Sequence, residues 1–208
     1  FIAGLLHDEN KDLAWSARFD LFYSNARSGA EELRTDTSLS PAYRPLRSHW
    51  IVLDRLDFEY RDNTGGDFDF ESRKLLHHLK VNHLFGRGTQ IAWQLSNKLV
   101  IDTISNRQFT TFGTLAGVEM RRDIQKGWDM SMHGRVRHQT SGDEMAYGYG
   151  LSVGRILVDN VWLSLGYNLV GFTDPEFSAA DYTAQGPFFR IRAKFDQLSV
   201  KDALELFR

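Results

Sequence analysis

The chain has 208 residues and a net charge of −2, so no basic surplus indicates a nucleic-acid-binding protein. It contains no cysteine, which excludes a disulfide scaffold and a thiolate metal site. No apolar run reaches the roughly 18 residues that a membrane-spanning helix needs. The mean hydropathy of −0.39 fits a soluble protein, but it also fits a membrane β-barrel, because each of its strands keeps one polar face.

Alternation of apolar and polar residues predicts β-strands along most of the chain. In 13–25, for example, Trp15 and Phe19 share one face, and Arg18 and Asp20 lie on the other. Eleven strands are predicted, at 1–6, 13–25, 36–44, 50–61, 73–85, 89–102, 109–122, 128–139, 145–157, 161–172 and 187–195.

The connections between these strands alternate in length, which is typical of outer-membrane barrels. Compact turns are predicted at 7–12, 45–48, 86–88, 123–127 and 158–160, and generally longer loops at 26–35, 62–72, 103–108, 140–144 and 173–186. Bacterial single-chain barrels have an even number of strands. Either one further strand precedes Phe1, or 36–44, which contains Pro41, lies outside the sheet. We favour the first, because the alternation of rims fails without 36–44.

Strand length favours a membrane barrel over a soluble sheet. Soluble strands average about five or six residues, about 9–11 residues cross a bilayer at a tilt, and the well-marked strands here have roughly twelve to fourteen. A soluble antiparallel sheet with a wet polar face is the alternative. Four polar residues fall on the predicted apolar face as exceptions, namely Asp54, His77, His83 and Asn97.

Two sets of side chains follow from the barrel interpretation. Charged residues at mid-strand are predicted to line the lumen, where opposite charges can pair: Arg18, Asp20, Asp57, Glu59, Lys80, Lys98, Arg135, Arg137, Arg190, Arg192 and Lys194. Aromatic and apolar residues are predicted to face lipid or to form interfacial girdles: Trp15, Tyr23, Trp50, Tyr60, Trp128, Tyr147, Leu163, Leu165 and Tyr167.

Residues 152–197 resemble the closing region of outer-membrane β-barrels found at the C-terminal end of large Gram-negative surface proteins. The family pattern N-x-W-x-S-x-G-Y-N matches 160–168, and F-x-D-x-x-F-S-x-x-[DE]-Y-T-A-Q-G-P matches 172–187. The likeness extends over about 50–196. It implies an outer-membrane barrel with outer-membrane lipid, the barrel-assembly machinery and other envelope or surface subunits as partners, and it implies little chemistry.

The last strand fits the assembly signal of outer-membrane proteins, which here comprises Gly186, Phe189, Ile191 and Phe195. Those proteins usually end at the terminal aromatic residue, whereas this chain continues. We expect 1–196 to form the barrel and 197–208 to form a tail with a short amphipathic helix, capped by Ser199.

No catalytic, cofactor-binding or metal-binding residue is predicted. His77 and His83 lie six residues apart on one strand face, which is about 20 Å and too far for one ion. His78 and His133 are candidates for a meeting across strands. A lipid hydrolase with a Ser–His pair on the outward face would use His138, near Ser141 in the next loop. The acidic loop 173–186 matches no calcium motif.

The sequence therefore predicts an all-β protein, a transmembrane antiparallel up-and-down barrel of about twelve strands in the bacterial outer membrane. The predicted role is non-enzymatic: an anchor or translocator for a larger surface or envelope assembly, with a lumen largely filled by charged side chains. A small-solute channel is the alternative, followed by an outer-membrane lipid hydrolase and then a soluble β-protein.

Overall fold

The computed structural model describes residues 1–8, 12–26, 29–45, 48–65, 69–86, 88–158, 161–172 and 184–193. Within these residues the chain forms eleven β-strands. Their bounds are β1 Ile2–Asp8, β2 Leu13–Asn25, β3 Glu31–Tyr43, β4 Trp50–Thr64, β5 Phe70–Phe85, β6 Thr89–Ile104, β7 Arg107–Gln125, β8 Trp128–Gln139, β9 Glu144–Val158, β10 Val161–Val170 and β11 Gly186–Ala193. Among the same residues there is no helix with the length and apolar character to cross a bilayer.

The strands form one antiparallel sheet in which each strand pairs with its neighbours along the chain, in the order β1 to β11. The predicted all-β, up-and-down topology is thereby confirmed. In the described part of the chain, β1 and β11 are the two edges and do not pair with each other. Both have odd numbers in an antiparallel meander, so they run in the same direction.

The central strands are long. β5 and β6 have 16 residues each, and β7 has 19. Strands of soluble proteins have about five or six residues, whereas about 9–11 residues span a bilayer at a tilt. These central strands therefore exceed the length that a membrane crossing requires, whereas the edge strands β1 and β11, with 7 and 8 residues, are shorter.

The loop predicted at 26–35 is wrong from Glu31 onward. β3 begins at Glu31, and its 13 residues all pair with β2. The amide of Asn25 donates a hydrogen bond to Glu31 Oε1 over 2.9 Å. The charged composition of this segment indicated a loop, but pairing with the neighbouring strand decides strand formation more than local propensity does.

The loop predicted at 103–108 is also wrong, because Ser105 and Asn106 alone connect β6 to β7. Both residues have positive φ angles, 47° and 65°, as a tight type I′ hairpin turn requires. The alternation of short turns and long loops is therefore weaker than predicted, and it rests mainly on the connection between β10 and β11.

Pro41 lies inside the sheet, so the alternative that 36–44 stays outside it is wrong. In register Pro41 faces Trp15 of β2, but the ladder between β3 and β4 omits Ser40 and Pro41. Proline has no N–H to donate to a second neighbour. A groove of about 720 Å³ borders this interruption.

Candidate functional site

The sheet has two chemically different faces. We call the face that carries Arg18, Asp57 and Lys98 the polar face, and the opposite face, which carries Phe58 and Leu165, the apolar face. Register partners on adjacent strands share a face, so the assignment follows across the whole sheet.

Burial on these faces is the reverse of that in a soluble protein. On the polar face Ser96, Lys98 and Asn168 are 0%, 4% and 3% exposed. On the apolar face Tyr147 is 55% and Leu165 is 62% exposed. Soluble proteins bury leucine and almost never bury lysine fully, whereas this sheet buries several polar side chains and leaves many large apolar ones exposed.

The residues predicted to line the lumen lie on the polar face wherever their side chains are described: Arg18, Asp20, Asp57, Glu59, Lys80, Lys98, Arg135, Arg137 and Arg190. Arg192 pairs with Trp162 in register, while its side chain and Lys194 lie outside the described residues. The residues predicted to face lipid lie on the apolar face: Trp15, Tyr23, Trp50, Tyr60, Trp128, Tyr147, Leu163, Leu165 and Tyr167. Their contact with a lumen or with lipid stays a prediction.

Ion pairs balance the charge on the polar face of β2 to β5. Three strands carry the same Arg-x-Asp spacing, and each arginine pairs with the aspartate two residues on, over 2.6 Å, 2.8 Å and 2.8 Å: Arg18–Asp20, Arg34–Asp36 and Arg55–Asp57. Lys74 and Glu59 form a fourth pair across strands, at 3.2 Å. These pairs line a cavity of about 520 Å³ in which positive and negative side chains are equal in number.

The sequence predicts Arg18 and Asp20 on the polar face but not the pair Arg34–Asp36, because it predicts a loop at 26–35. The signal was present in the sequence, since the Arg-x-Asp spacing recurs in three successive strands. Residues two apart in a strand lie on the same face, so this spacing predicts an ion pair along the strand.

The polar face of β5 to β8 is different, because it carries a surplus of positive charge. A cavity of about 250 Å³ there is lined by Lys80, Arg121 and Arg135, with Glu119 as its one carboxylate. Arg121 Nη2 donates a hydrogen bond to Gln90 Oε1 over 2.8 Å. The sequence predicts that Lys80 and Arg135 both line the lumen. It does not predict that strand register brings the two side chains to one cavity.

Glycines make room for large side chains on the polar face near β9 and β10. A Cβ at Gly166 would collide with the ring of Phe188 on β11, and a Cβ at Gly154 would lie 2.6 Å from Asp129 Oδ1. Asn168 fills part of this region: its Oδ1 lies 3.0 Å from His133 Nε2, and its amide donates to the Ala184 carbonyl over 3.2 Å. Gly166 and Asn168 belong to the pattern on which the family resemblance rests.

Aromatic residues border the apolar face at both ends of the strands. Trp15, Trp50, Trp93 and Trp128 all lie within about five residues of the turns that connect β1 to β2, β3 to β4, β5 to β6 and β7 to β8. We call this end of the sheet the first rim. Trp50 stacks on His83 and Trp93, with ring centroids 4.0 Å and 5.9 Å apart. Tyr23, Tyr60 and Tyr147 lie toward the opposite end, the second rim.

Polar residues interrupt the apolar face along one line. Successive register partners across β5 to β8 are His77, Asn97, Thr114 and His138. His77 Nε2 lies 2.8 Å from Asp54 Oδ1, and Thr114 donates to Asn97 Oδ1 over 3.0 Å. Three of the exceptions noted in the sequence therefore have polar partners on the same face, and the fourth, His83, stacks in the aromatic cluster.

Two of the histidines considered for chemistry have polar partners close by. His78 Nδ1 lies 3.0 Å from Ser96 Oγ, and His138 Nε2 lies 3.1 Å from Asp143 Oδ1. Ser141 Oγ accepts a hydrogen bond from Gln139 Nε2 over 2.9 Å. In the described ranges no group of three or more His, Asp and Glu side chains is arranged to hold a metal ion.

The predicted assembly signal is described in part. Gly186 opens β11, and Phe189 and Ile191 lie on its apolar face, 67% and 61% exposed. Phe195, most of the acidic loop 173–186 and the tail 197–208 with its predicted helix lie outside the described residues.

Comparison with known proteins assigns no family to this chain: no protein-family model matches it, and no curated protein matches it.

Proposed function

We propose that the chain is a transmembrane β-barrel of the bacterial outer membrane, and that it serves as the anchor or translocator of a larger surface or envelope assembly. The observation that carries the proposal is the reversed burial of the two faces. Buried Lys98 and Asn168 oppose widely exposed Leu165 and Tyr167, as in proteins whose outer solvent is lipid. Monomeric soluble proteins rarely expose a contiguous apolar surface this large.

The distance between the two aromatic borders also supports lipid as the solvent of the apolar face. Trp50 and Tyr60 lie on one face of β4, ten residues apart, which is about 33 Å along a strand. With the tilt of about 40° that strands have in outer-membrane barrels, this distance projects to about 25 Å along the barrel axis, the height of their apolar band. Trp and Tyr at its borders match the interfacial girdles of membrane proteins.

Closure of the barrel needs one more strand. β1 and β11 run in the same direction, so joining them directly would create a parallel ladder in a sheet that is otherwise antiparallel. One antiparallel strand between them gives the even number found in bacterial barrels. We therefore propose twelve strands, with the exposed apolar residues of β11 presented to the barrel-assembly machinery.

The paired charges favour an anchor over an open pore. The arginine and aspartate side chains of β2 to β4 pair with each other on the polar face, which supports an interior of paired charges over a charge-selective pore. A small-solute channel is the second candidate, and the surplus of cations on β5 to β8 favours it. An anchor should give no discrete conductance steps in a planar bilayer, whereas a channel should give them.

Tryptophan quenching tests which face meets lipid. The chain has five tryptophans; four lie on the apolar face, and Trp162 lies on the polar face of β10. Variants that keep a single tryptophan, either Trp93 or Trp162, would be folded into vesicles that contain brominated phospholipid. Trp93 fluorescence should be quenched strongly and Trp162 fluorescence weakly.

The matched control is iodide in the aqueous phase, which should not quench Trp93 more than Trp162. Equal quenching of the two residues by brominated lipid, or release of the protein from membranes without detergent, would overturn the proposal.

A further inference from the structure

The cavity on the polar face of β5 to β8 lies within three adjacent rows of the sheet. Lys80, Gln94 and Arg135 belong to the first row. Asn82 and Glu119 belong to the second. Gln90 and Arg121 form the third, which lies nearest the first rim. Charged and amide side chains from four strands therefore converge on one space.

The charge of this cavity sets it apart from the rest of the polar face. Three cations, Lys80, Arg121 and Arg135, oppose Glu119, which leaves a surplus of two positive charges. The larger cavity on β2 to β5 has four cations and four carboxylates and no surplus. A concave, partly desolvated wall of one sign attracts ions of the opposite sign, so the smaller cavity is suited to an anion.

The amide groups add a second kind of recognition. Gln90 accepts a hydrogen bond from Arg121 and donates one to Asn82 Oδ1 over 3.5 Å, which orients the three side chains. Asn82 takes part in this network through its Oδ1, and Gln94 donates from its Nε2 to Ser96 Oγ over 3.4 Å, so neither bond occupies Asn82 Nδ2 or Gln94 Oε1. One is a donor and the other an acceptor, and this combination suits the hydroxyl groups of a ligand.

Small residues provide the space. Ala92 and Gly117 line the cavity, and they leave it a volume of about 250 Å³. This is just below the range of about 300–1,000 Å³ for drug-sized ligands. A ligand the size of one monosaccharide is appropriate to it.

We infer that this cavity binds an anionic saccharide unit, in which Arg121 and Arg135 contact the carboxylate or phosphate group and the amides of Asn82 and Gln94 contact the hydroxyls. The inference goes beyond the proposed function, because an anchor needs no ligand. The binding inference depends on the cavity, whereas the proposed membrane function depends on contact of the opposite face with lipid. An experiment can therefore refute either one without the other.

Calorimetric titration of the detergent-folded protein at low ionic strength tests the site. The ligands are glucuronate, glucose 6-phosphate, neutral glucose and inorganic phosphate. The variants are Arg121→Gln, Arg135→Gln and Ala92→Phe, which fills the cavity. Arg18→Gln is the matched control, because it removes one positive charge from the balanced cavity. Circular dichroism establishes that each variant is folded.

Wild-type protein should bind glucuronate and glucose 6-phosphate and should not bind glucose. Each arginine variant should weaken this binding about tenfold or more, as the loss of one charge-assisted hydrogen bond requires, and Arg18→Gln should change it less than about twofold. Absence of glucuronate binding by folded wild-type protein would overturn the inference. So would equal weakening by Arg18→Gln, or inorganic phosphate that binds as tightly as glucose 6-phosphate.

Discussion

Replacing Leu165 with arginine tests the solvent of the apolar face at a single position. Leu165 lies in β10 with 62% of its surface exposed, and its register partners are Val153 and Phe189 on the same face. No contact within the sheet holds it in a core. The cost of a charge at this position therefore depends almost entirely on what covers the face.

The depth of Leu165 in the proposed bilayer follows from strand geometry. It is four residues from Val161, the first residue of β10, or about 13 Å along the strand. At a tilt of about 40° this places it about 10 Å above the first rim, close to the middle of an apolar band of about 25 Å. Arginine near the midplane of a barrel costs about 2–4 kcal/mol, whereas on a surface covered by water a substitution changes stability by about 0.5 kcal/mol or less.

Reversible unfolding by guanidinium in phospholipid vesicles, followed by tryptophan fluorescence, gives the free energy of unfolding by linear extrapolation. Leu169→Arg is the matched control. Leu169 is 47% exposed and lies one residue from the end of β10 at Val170, where the cost of arginine falls to about 0–1 kcal/mol. We expect Leu165→Arg to lower the free energy of unfolding by about 2 kcal/mol more than Leu169→Arg does.

A free energy of unfolding within about 0.5 kcal/mol of wild type for both variants would refute the reasoning, since it would mean that water covers the face. A loss that is large and equal at both depths would also contradict a bilayer, because its cost depends on depth.

Three further predictions concern the polar face. Gly166→Ala should lower the free energy of unfolding by about 1–3 kcal/mol, because the added Cβ would collide with the ring of Phe188. Gly134→Ala is the control, since open space surrounds its Cβ, and it should change the free energy of unfolding by less than about 0.5 kcal/mol in the same denaturation assay. Asn168→Leu should cost about 1–3 kcal/mol by leaving Nε2 of the half-buried His133 without its partner; an unchanged midpoint would contradict this. A double-mutant cycle on Arg55 and Asp57 should give a coupling energy below about 1 kcal/mol that falls with added salt, because the arginine side chain is 53% exposed.

Strand positions could be predicted because the period-two pattern is strong. The segments 13–25 and 128–139 were predicted with the bounds that β2 and β8 have. The pattern fails where alternation is weak, as at 31–36, where Leu33 is the one large apolar residue. There the neighbouring strand supplies the hydrogen bonds, and no local feature reports its presence.

The candidate binding cavity could not be predicted, because it depends on register. Lys80, Gln94 and Arg135 come from three strands, and only the pairing of β5, β6, β7 and β8 brings them to adjacent positions. A shift of register by one residue would send these side chains to the opposite face. The polar line on the apolar face depends on the same pairing.

Side-chain alternation along each strand is a local property, and it already separated charged from apolar residues and made the apolar ones the outer surface of the predicted barrel. Contacts between strands that are distant along the chain decide three further features. They decide which charges pair, where a glycine leaves room for Phe188, and where cations outnumber carboxylates. Such contacts are decided by hydrogen-bonded register across the sheet, because each step of one residue exchanges the two faces.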